Sequence, residues 1–437
     1  MYQSGDTIYA LASGLGIAGV AVIRVSGPKA KETLKKLTSL KKVEAGRVYF
    51  SALKEEKKVL DRALVLYFKA PHSFTGEDVV EYQVHGGRGV IAAVMQALSK
   101  MEGLRPAERG EYSRRAVING KMDLTEAEGL LDLVHAETEE QRKQALAQMD
   151  GNLGTLYEGW RKKLVHHLAY AEAFIDFPEE EIPAEKEQEI DADIQKLIKE
   201  IEVHLNDEKR GERLRDGFQI AIVGVPNVGK SSLINALTKR EVAIVSQTAG
   251  TTRDIVEAHL DVAGFPVILA DTAGLRESKE EIESEGIRRA VKKAETADLI
   301  LSVQDAKNYP KMEKLPESLL KKQVLTIWNK TDLCKVKENK IDFFISAKTS
   351  KGVAKLWDKI KDILTDSFSG GAAITRERYR VALKQCVEHL KDALQVQELE
   401  LKTEDLRLAA RALGRITGRI EVDELLDVIF KDFCIGK

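Results

Sequence analysis

The chain is poor in cysteine, has no excess of positive charge and contains no long apolar run. Its three cysteines, Cys334, Cys386 and Cys434, are odd in number and far apart in 437 residues. This spacing excludes a disulfide framework and fits a reducing compartment such as the cytoplasm. The formal net charge is −2, which excludes a protein coated in positive charge for nucleic acid. Any RNA contact must therefore come from a local patch.

Two further absences concern membranes. No apolar run approaches the roughly 18 residues that a transmembrane helix needs, so we expect no membrane insertion. The N-terminal stretch MYQSGDTIYA lacks the charged-then-apolar layout of a signal peptide.

Hydrophobic residues make up 43% and charged residues 32% of the chain, a balance typical of globular proteins. The length predicts about two to four domains.

The N-terminal part of the chain predicts a compact α+β domain over residues 1–120. Runs rich in Val, Ile and Tyr at 19–27, 62–70 and 79–87 are bounded by glycine and predict strands. Residues 92–101 have apolar residues at helical spacing.

Helical patterning then flanks an α/β segment. Residues 121–215 have apolar residues at helical intervals, with Thr125 and Glu128 as a capping box at their start. Residues 216–369 alternate short apolar strands with helices, which indicates a parallel sheet, and residues 370–437 are helical again. The sequence therefore predicts a multidomain α/β protein in which an α/β domain is inserted into a helical domain.

The sharpest motif is GVPNVGKSS, which runs from Gly224 to Ser232. It matches the P-loop pattern G-x-x-x-x-G-K-[ST] between a predicted strand and a predicted helix. Backbone N–H groups of such a loop surround phosphates, and the helix N-terminus adds positive potential. Lys230 would reach the β- and γ-phosphates, and the Ser231 hydroxyl would bind Mg²⁺. Taken alone, the motif has a chance glycine-rich turn as its alternative reading.

Three later motifs follow in the order of a GTPase. DTAG comes directly after a predicted strand, so Asp271 can act near Mg²⁺ and Gly274 can offer its N–H to the γ-phosphate. NKTD places Asn329 and Asp332 after another strand, where a carboxylate can accept the guanine N1–H and amine hydrogens. ISAKTS (345–350) takes the position of the last guanine-contacting loop. The four motifs together predict a GTP-binding domain.

The predicted GTP-binding residues belong to these loops and to the segment between the first two motifs. They are Asn227, Val228, Gly229, Lys230, Ser231, Ser232, Ser246, Gln247, Thr248, Ala249, Gly250, Thr251, Thr252, Asp271, Thr272, Ala273, Gly274, Asn329, Lys330, Asp332, Ser346, Ala347 and Lys348.

Hydrolysis must use an unusual arrangement, because the residue after DTAG is Leu275, which cannot orient a water molecule. Another water-positioning group and another source of positive charge are therefore needed. Candidate acidic residues lie in the stretch 275–286.

Further features carry a resemblance to one family. They are the loop VSQTAGTTRD (245–254), Asn227 inside the P-loop, the C-terminal CIGK, and the stretches FTGED, VEYQVHGG and NGKMDLTEAE. With the domain order, the chain resembles the tRNA wobble-uridine modification GTPases, the MnmE or TrmE family, over its whole length. A generic GTPase would share only the middle third. The resemblance implies an N-terminal folate-binding and dimerisation domain, an inserted Ras-like P-loop GTPase domain, and homodimers that also associate through their GTPase domains.

The resemblance also implies how GTP is hydrolysed. A bound K⁺ would supply the missing positive charge, held by the Asn227 side chain and by the backbone carbonyls of Ser246, Thr248 and Thr251. Thr252 would join Ser231 in holding Mg²⁺. Glu283 would orient the attacking water through a second water, although a solvated helix face is its reading from the residues alone.

In this family the first domain binds a reduced folate, 5-formyl- or 5,10-methylenetetrahydrofolate, which donates a one-carbon unit. The resemblance implies that the folate-binding residues are Arg24, Glu81, Lys121 and Lys437, and that Cys434 is required for modification. Without the resemblance, each of the charged residues is equally well interpreted as ordinary surface charge. The cysteine is then interpreted as an inert thiol.

The function implied is a K⁺-stimulated GTPase that modifies C5 of wobble uridine 34 of certain tRNAs. A carboxymethylaminomethyl or aminomethyl group would be added together with an FAD-dependent partner resembling MnmG, also called GidA, in a heterotetramer or larger complex. The alternative is a GTP-switch RNA-binding or ribosome-assembly factor without modification chemistry. A group of cations close in sequence reads either as an RNA patch or as solvated charge with a folate contact: Arg105, Arg109, Arg114, Arg115 and Lys121.

Overall fold

A computed structural model describes residues 5–14, 16–176, 184–239, 242–243, 257–271, 292–336, 342–368, 373–420, 426 and 429–436. The chain forms two compact units. Unit 1 comprises Met1–Leu131, Gln148–Val165 and Ala410–Lys437, and unit 2 comprises Asp132–Ala147 and His166–Ala409. Because this division is coarser than the four segments expected from sequence, their boundaries stay a prediction.

Unit 1 is built on a six-stranded sheet in the order β3-β4-β5-β2-β1-β6. The strands are β1 (Thr7–Leu11), β2 (Ala18–Ser26), β3 (Val48–Glu55), β4 (Lys58–Phe68), β5 (Val79–Gly86) and β6 (Leu104–Pro106). Helices α1 (Ala30–Leu37) and α2 (Arg88–Ser99) pack on the sheet. Alternate residues such as Ile23, Val65 and Tyr82 are buried beneath them, as the period of two along a strand requires. The predicted α+β character and its three strands are confirmed.

Unit 1 continues through α3 (Glu111–Ile118) to α4 (Leu124–His135). The predicted capping box at Thr125 and Glu128 is wrong, because both side chains are buried inside α4. The reciprocal bonds lie two residues earlier: Asp123 Oδ1 accepts the Glu126 N–H at 2.9 Å, and Glu126 Oε2 accepts the Asp123 N–H at 2.7 Å. D-x-x-E replaces T-x-x-E because aspartate is as good an N-cap as threonine and stands directly before the helix.

Unit 2 contains a seven-stranded sheet in the order β13-β12-β11-β7-β10-β9-β8. Its strands are β7 (Phe218–Val223), β8 (Val242–Ala243), β9 (Glu257–Val262), β10 (Phe265–Asp271), β11 (Leu299–Asp305), β12 (Gln323–Asn329) and β13 (Phe343–Phe344). The five strands from β13 to β10 are parallel, and β9 and β8 add an antiparallel edge. The predicted parallel sheet is thus confirmed, with this edge as an addition.

The described helices from α5 onward complete the chain. They are α5 (Glu139–Met149), α6 (Asn152–Asp176), α7 (Ala184–Leu205), α8 (Arg210–Asp216), α9 (Lys230–Thr238), α10 (Val353–Phe368), α11 (Glu377–Ala393) and α12 (Leu399–Thr417). None of the helices in the described ranges is long and apolar enough to cross a membrane. The multidomain α/β fold class, with α+β, helical and P-loop sheet parts, is confirmed.

The described part of the C-terminal tail, residues 426 and 429–436, is packed rather than frayed. Leu426, Phe430 and Phe433 are buried in one cluster with Leu124 and Ala127 of α4. Within the described part of the tail, the last residues then run along the end of the sheet.

Gly436 fits its place because it has no side chain. Its φ is 98°, and a Cβ atom there would lie 2.1 Å from the Leu11 carbonyl oxygen. The preceding residue, Ile435, forms an antiparallel bridge with Arg109. Glycine is therefore required for the tail to lie beside the end of β1.

Replacing Gly436 with alanine is expected to release the tail, at a cost of about 1–3 kcal/mol in docking free energy. The Gly110 N–H donates to the Cys434 carbonyl at 3.3 Å, so hydrogen exchange of the Gly110 amide measures docking. Gly120→Ala is the matched control, because Gly120 also has positive φ (65°) but has open space around it. Equal protection of Gly110 in Gly436→Ala and wild type would contradict the expectation.

Candidate functional site

The P-loop joins β7 to α9 through backbone conformations that few side chains allow. Gly229, which precedes α9, has φ 96°, and Asn227 has φ 63°. A Cβ atom on Gly224 would meet the Val303 carbonyl oxygen at 2.3 Å. Lys230 donates from Nζ to the carbonyls of Gly224 at 2.6 Å and Val225 at 3.0 Å. Backbone N–H groups, the start of α9 and a held ammonium group are the features that bind phosphate.

Asn329 ties the P-loop to the guanine-contacting loop. Its Nδ2 donates to the Val228 carbonyl at 2.8 Å, and its Oδ1 accepts the Ala347 N–H at 2.9 Å. The side chain is 2% exposed. The structure therefore brings three of the predicted motifs together through one buried amide.

Asp332 is exposed, and one of its carboxylate oxygens is held by a hydrogen bond. Ser346 Oγ donates to Asp332 Oδ1 at 2.7 Å, and this hydrogen bond lowers the pKa of the carboxyl group. Lys330 pairs with Asp305 at 2.8 Å. An ionised carboxylate with one oxygen held and the other available suits the two donors on the guanine edge.

The rest of the predicted GTP site is only partly described. Asp271 is the last residue of β10, which pairs with β7 immediately before the P-loop, and Lys348 is exposed in the last loop. Ser231 and Ser232 occupy the first turn of α9. The other predicted residues lie outside the described residues: Ser246, Gln247, Thr248, Ala249, Gly250, Thr251, Thr252, Thr272, Ala273, Gly274 and Glu283.

The structure brings Arg24 and Glu81 together on neighbouring strands. They are directly opposite in the β2–β5 register, and Arg24 Nε lies 2.9 Å from Glu81 Oε1. The guanidinium carbon of Arg24 lies 5.5 Å from the Phe74 ring centre and 5.6 Å from that of Tyr112. Among the described residues this ion pair uses only Nε, which leaves the terminal nitrogens of Arg24 for an anionic ligand. The paired carboxylate can accept hydrogen bonds from a pterin.

Lys121 lies at the segment that also carries Phe74. Its Nζ donates to the Pro71 carbonyl at 3.0 Å, and its side chain packs near Gly76. Lys437 lies outside the described residues, but Gly436 contacts Leu11 and Ala12. Leu11 pairs with Ile23, next to Arg24 on β2. Of the described candidate folate residues, Arg24 and Glu81 are paired directly, and Lys121 contacts the segment of Phe74, whose ring lies by Arg24.

Cys434 has an exposed side chain and a fixed backbone. Its carbonyl oxygen accepts the Gly110 N–H, and its thiol is exposed. A thiol held on an ordered backbone can act on a ligand, whereas a buried thiol such as Cys386 cannot, because burial raises its pKa to about 12.

Two members of the predicted cation group are structural. Arg115 is fully buried and pairs with Asp6, Glu77 and Glu111, while Arg105 pairs with Asp6 and Glu111. Burial alone would raise the pKa of Glu111, but hydrogen bonds from Arg105, the Glu108 N–H and Arg115 outweigh it and lower the pKa. Carboxylates of the fold compensate the charge of both arginines, although the Arg105 side chain stays 32% exposed whereas Arg115 is fully buried.

The sequence reading missed three contacts. Two of them are the contact of the Phe74 ring with Arg24 and the hydrogen bond between Gly110 and Cys434. Neither has a sequence signal, because the partners lie far apart in the chain. The buried role of Asn329 is likewise a tertiary contact between three loops.

Comparison with known proteins gives full-length relatives. The family model described as MnmE helical domain matches residues 124–434, and that described as GTP-binding protein TrmE N-terminus matches residues 7–121. The tRNA modification GTPase MnmE of Paramagnetospirillum magneticum is 50% identical over 440 residues, covering 99% of this chain and 100% of that protein. MnmE of Parvibaculum lavamentivorans is also 50% identical, over 443 residues, with 99% and 100% covered.

A eukaryotic relative shows the same full-length match. A subunit of the mitochondrial 5-taurinomethyluridine-[tRNA] synthase of Danio rerio is 44% identical over 470 residues, covering 100% of this chain and 94% of that protein. The P-loop, the guanine-contacting loops and the packed C-terminal tail occur here in a chain that matches both family models along its length. The chain therefore belongs to the MnmE family of tRNA modification GTPases.

Proposed function

We propose that the chain is a K⁺-stimulated GTPase that modifies C5 of uridine 34 in certain tRNAs. With an FAD-dependent, MnmG-like partner it would add a carboxymethylaminomethyl or aminomethyl group, using a one-carbon unit from a tetrahydrofolate. The observations that support this proposal are the tail docked beside Leu11 of β1 and the Arg24–Glu81 pair, whose strand β2 pairs with β1. The full-length relatives support tRNA as the substrate.

The residues near the P-loop offer suitable ligands for the Mg²⁺ and K⁺ that we propose for the GTPase reaction. Hydroxyl, amide and carbonyl oxygens are the ligands that Mg²⁺ and K⁺ accept, and Ser231 and Asn227 offer such atoms at the start of α9. We propose Thr252 as the second Mg²⁺ ligand, and Ser246, Thr248 and Thr251 as backbone ligands for K⁺. The K⁺ charge would stabilise the charge that develops on the transferred phosphate. Lys230 binds the phosphates, and Asp332 selects guanine.

Glu283→Ala is expected to bind GTP normally and to lose K⁺-stimulated turnover, because we propose that this carboxylate orients the attacking water. The measurement is phosphate release in K⁺ and in Na⁺, with GTP affinity determined separately. Glu257→Ala serves as a control carboxylate, since Glu257 pairs with Lys293 at the surface of β9. Full K⁺-stimulated turnover in Glu283→Ala would rule out this role.

Glu81→Ala is expected to weaken binding of 5-formyltetrahydrofolate by about 10- to 100-fold, the loss of one or two hydrogen bonds to a charged group. Titration calorimetry on the full chain measures the affinity. Glu55→Ala is the matched control, because Glu55 also pairs with a cation, Lys100 at 2.7 Å. If wild type shows no binding, the folate site is refuted.

We also propose a homodimer that uses the open face of the unit 1 sheet. Phe50 and Leu64 are directly opposite each other and 68% and 42% exposed. Exposed apolar clusters of this kind are typical of interfaces. Across the sheet, Leu64 is paired with Gln83, and Gln83 with Val22. Glu81 and Arg24 lie two residues further along the same two strands, so their side chains are on the same face. The folate residues would therefore lie next to the second copy.

We propose that the protein acts in the cytoplasm. Its role in tRNA modification is tested in cells that lack the protein. Mass spectrometry of nucleosides from tRNA should find uridine 34 without its modification, and a plasmid copy should restore it. A normal wobble nucleoside in the deletion strain would reject the proposed function.

A further inference from the structure

The most positive stretch of unit 1 is residues 29–47, which we call the basic segment. It covers α1 and the loop that leads to β3. It contains seven cations, namely Lys29, Lys31, Lys35, Lys36, Lys41, Lys42 and Arg47, and two anions, Glu32 and Glu44. Its net charge of +5 contrasts with −2 for the whole chain.

The helix of the basic segment turns its cations to solvent. Thr33, Leu34 and Leu37 of α1 are buried against the sheet, so Lys31 and Lys35, one turn apart, lie on the exposed face. This amphipathic arrangement holds the charges on a fixed backbone.

The loop after α1 belongs to the same surface. Lys31 Nζ lies 5.2 Å from the centre of the Tyr67 ring, and the Gly46 N–H donates to the Tyr67 carbonyl at 2.9 Å. Both ends of the basic segment therefore meet at one residue of β4. Lys41, Lys42 and Arg47 are exposed in this loop.

The two carboxylates do not neutralise the segment. Glu44 is shared by Lys42 at 3.6 Å and Arg47 at 3.0 Å, and Glu32 pairs with Lys36 at 3.1 Å. In the described part of the chain, Lys35 and Lys41 form no ion pair.

The cations around α1 lie close to a carboxyl group on the same helix. The pKa of Glu32 is lowered by Lys36 and, more weakly, by Lys29 and Lys35. These charges are therefore close enough to act on a common anion.

We propose that the basic segment binds the phosphate backbone of the tRNA substrate. This proposal rests on the proposed tRNA-modifying function and adds to it the surface that binds the RNA. Lysines are flexible point charges, which suits phosphate contacts that position an RNA without reading its sequence. Arg105 and Arg115 are already paired with carboxylates. In contrast, Lys35 and Lys41 are exposed and form no ion pair in the described part of the chain.

The test is tRNA binding by the full-length chain over a series of KCl concentrations from about 50 to 200 mM. The triple variant Lys35→Gln, Lys41→Gln and Lys42→Gln should bind an unmodified tRNA transcript about 10- to 100-fold more weakly. The slope of log affinity against log salt should fall by about 2 to 3, since each lysine that contacts a phosphate releases a counterion.

The matched control removes the same charge elsewhere. Lys196, Lys199 and Lys384 are exposed in α7 and α11, and their change to Gln should leave affinity within about 2-fold and the slope unchanged. The variant Glu44→Gln acts in the opposite direction. It removes the acidic partner of Lys42 and Arg47, so tRNA should bind about 2- to 5-fold more tightly.

Each contrary result is decisive. The proposal is overturned if wild type does not bind tRNA, if the basic-segment triple binds like wild type, or if the control triple loses equal affinity. It is also overturned if the triple keeps tRNA affinity but loses binding to the FAD-dependent partner, which would make the segment a protein interface. Failure of the proposed function appears independently, as a normal wobble nucleoside in the deletion strain.

Discussion

Changing Cys434 to serine is expected to reduce wobble-uridine modification to the level of a deletion strain while GTP hydrolysis stays at the wild-type rate. Serine has nearly the same shape as cysteine but carries a hydroxyl group, which is a weaker nucleophile than a thiol. The Cys434 carbonyl bond to the Gly110 N–H does not involve the side chain, so the tail should stay docked. The loss would therefore report the chemistry of the thiol.

Nucleoside mass spectrometry measures this modification, and phosphate release measures the GTPase rate. Asp432→Ser is the control, because Asp432 is another exposed residue of the same tail. Loss of both activities in Cys434→Ser would mean that the cysteine maintains the fold, and retained modification would exclude a role for its thiol.

Changing Asp332 to asparagine is expected to weaken GTP binding by about 100-fold or more and to favour xanthosine triphosphate. The carboxylate would accept two guanine hydrogens, and hydrogen bonds to a charged group contribute about 1.5–3 kcal/mol each. Asparagine can still accept the Ser346 hydroxyl hydrogen, but its amide group would face the guanine donors with donors of its own. Xanthine presents a carbonyl at that position, which the amide can match.

Competition between labelled GTP and each nucleotide measures the switch. Asp358→Asn, an exposed change on α10, should leave both affinities unchanged. Unchanged GTP affinity in Asp332→Asn would mean that this carboxylate does not contact the base.

The GTP site was predictable from the sequence because its chemistry depends on the backbone over short stretches. Gly224 and Gly229 must be glycine for conformations or close contacts that the structure displays, and Lys230 directly follows Gly229. A strand, a tight loop and a helix start are local features, so spacing in the chain translates directly into spacing around phosphate.

The arginines show where local reading ends. Arg105 and Arg115 look like surface charge in sequence, yet they are tied to Asp6 and Glu77, which are distant in the chain. No periodicity signals such pairs, because burial of a charge depends on which elements fold over it. The basic segment had a detectable signal, its local charge, but only the packing of α1 places that charge on the surface.

The sequence by itself determined the P-loop, the guanine loops and the α/β pattern, since these follow from residue types at fixed short spacings. The family was indicated by resemblance over the whole chain. Only the tertiary structure decided that Arg24 faces Glu81, that Asn329 joins three loops, and that Gly436 lies against Leu11. Such contacts connect residues tens to hundreds of positions apart, and their geometry is set by strand register and by the shape of the packed core.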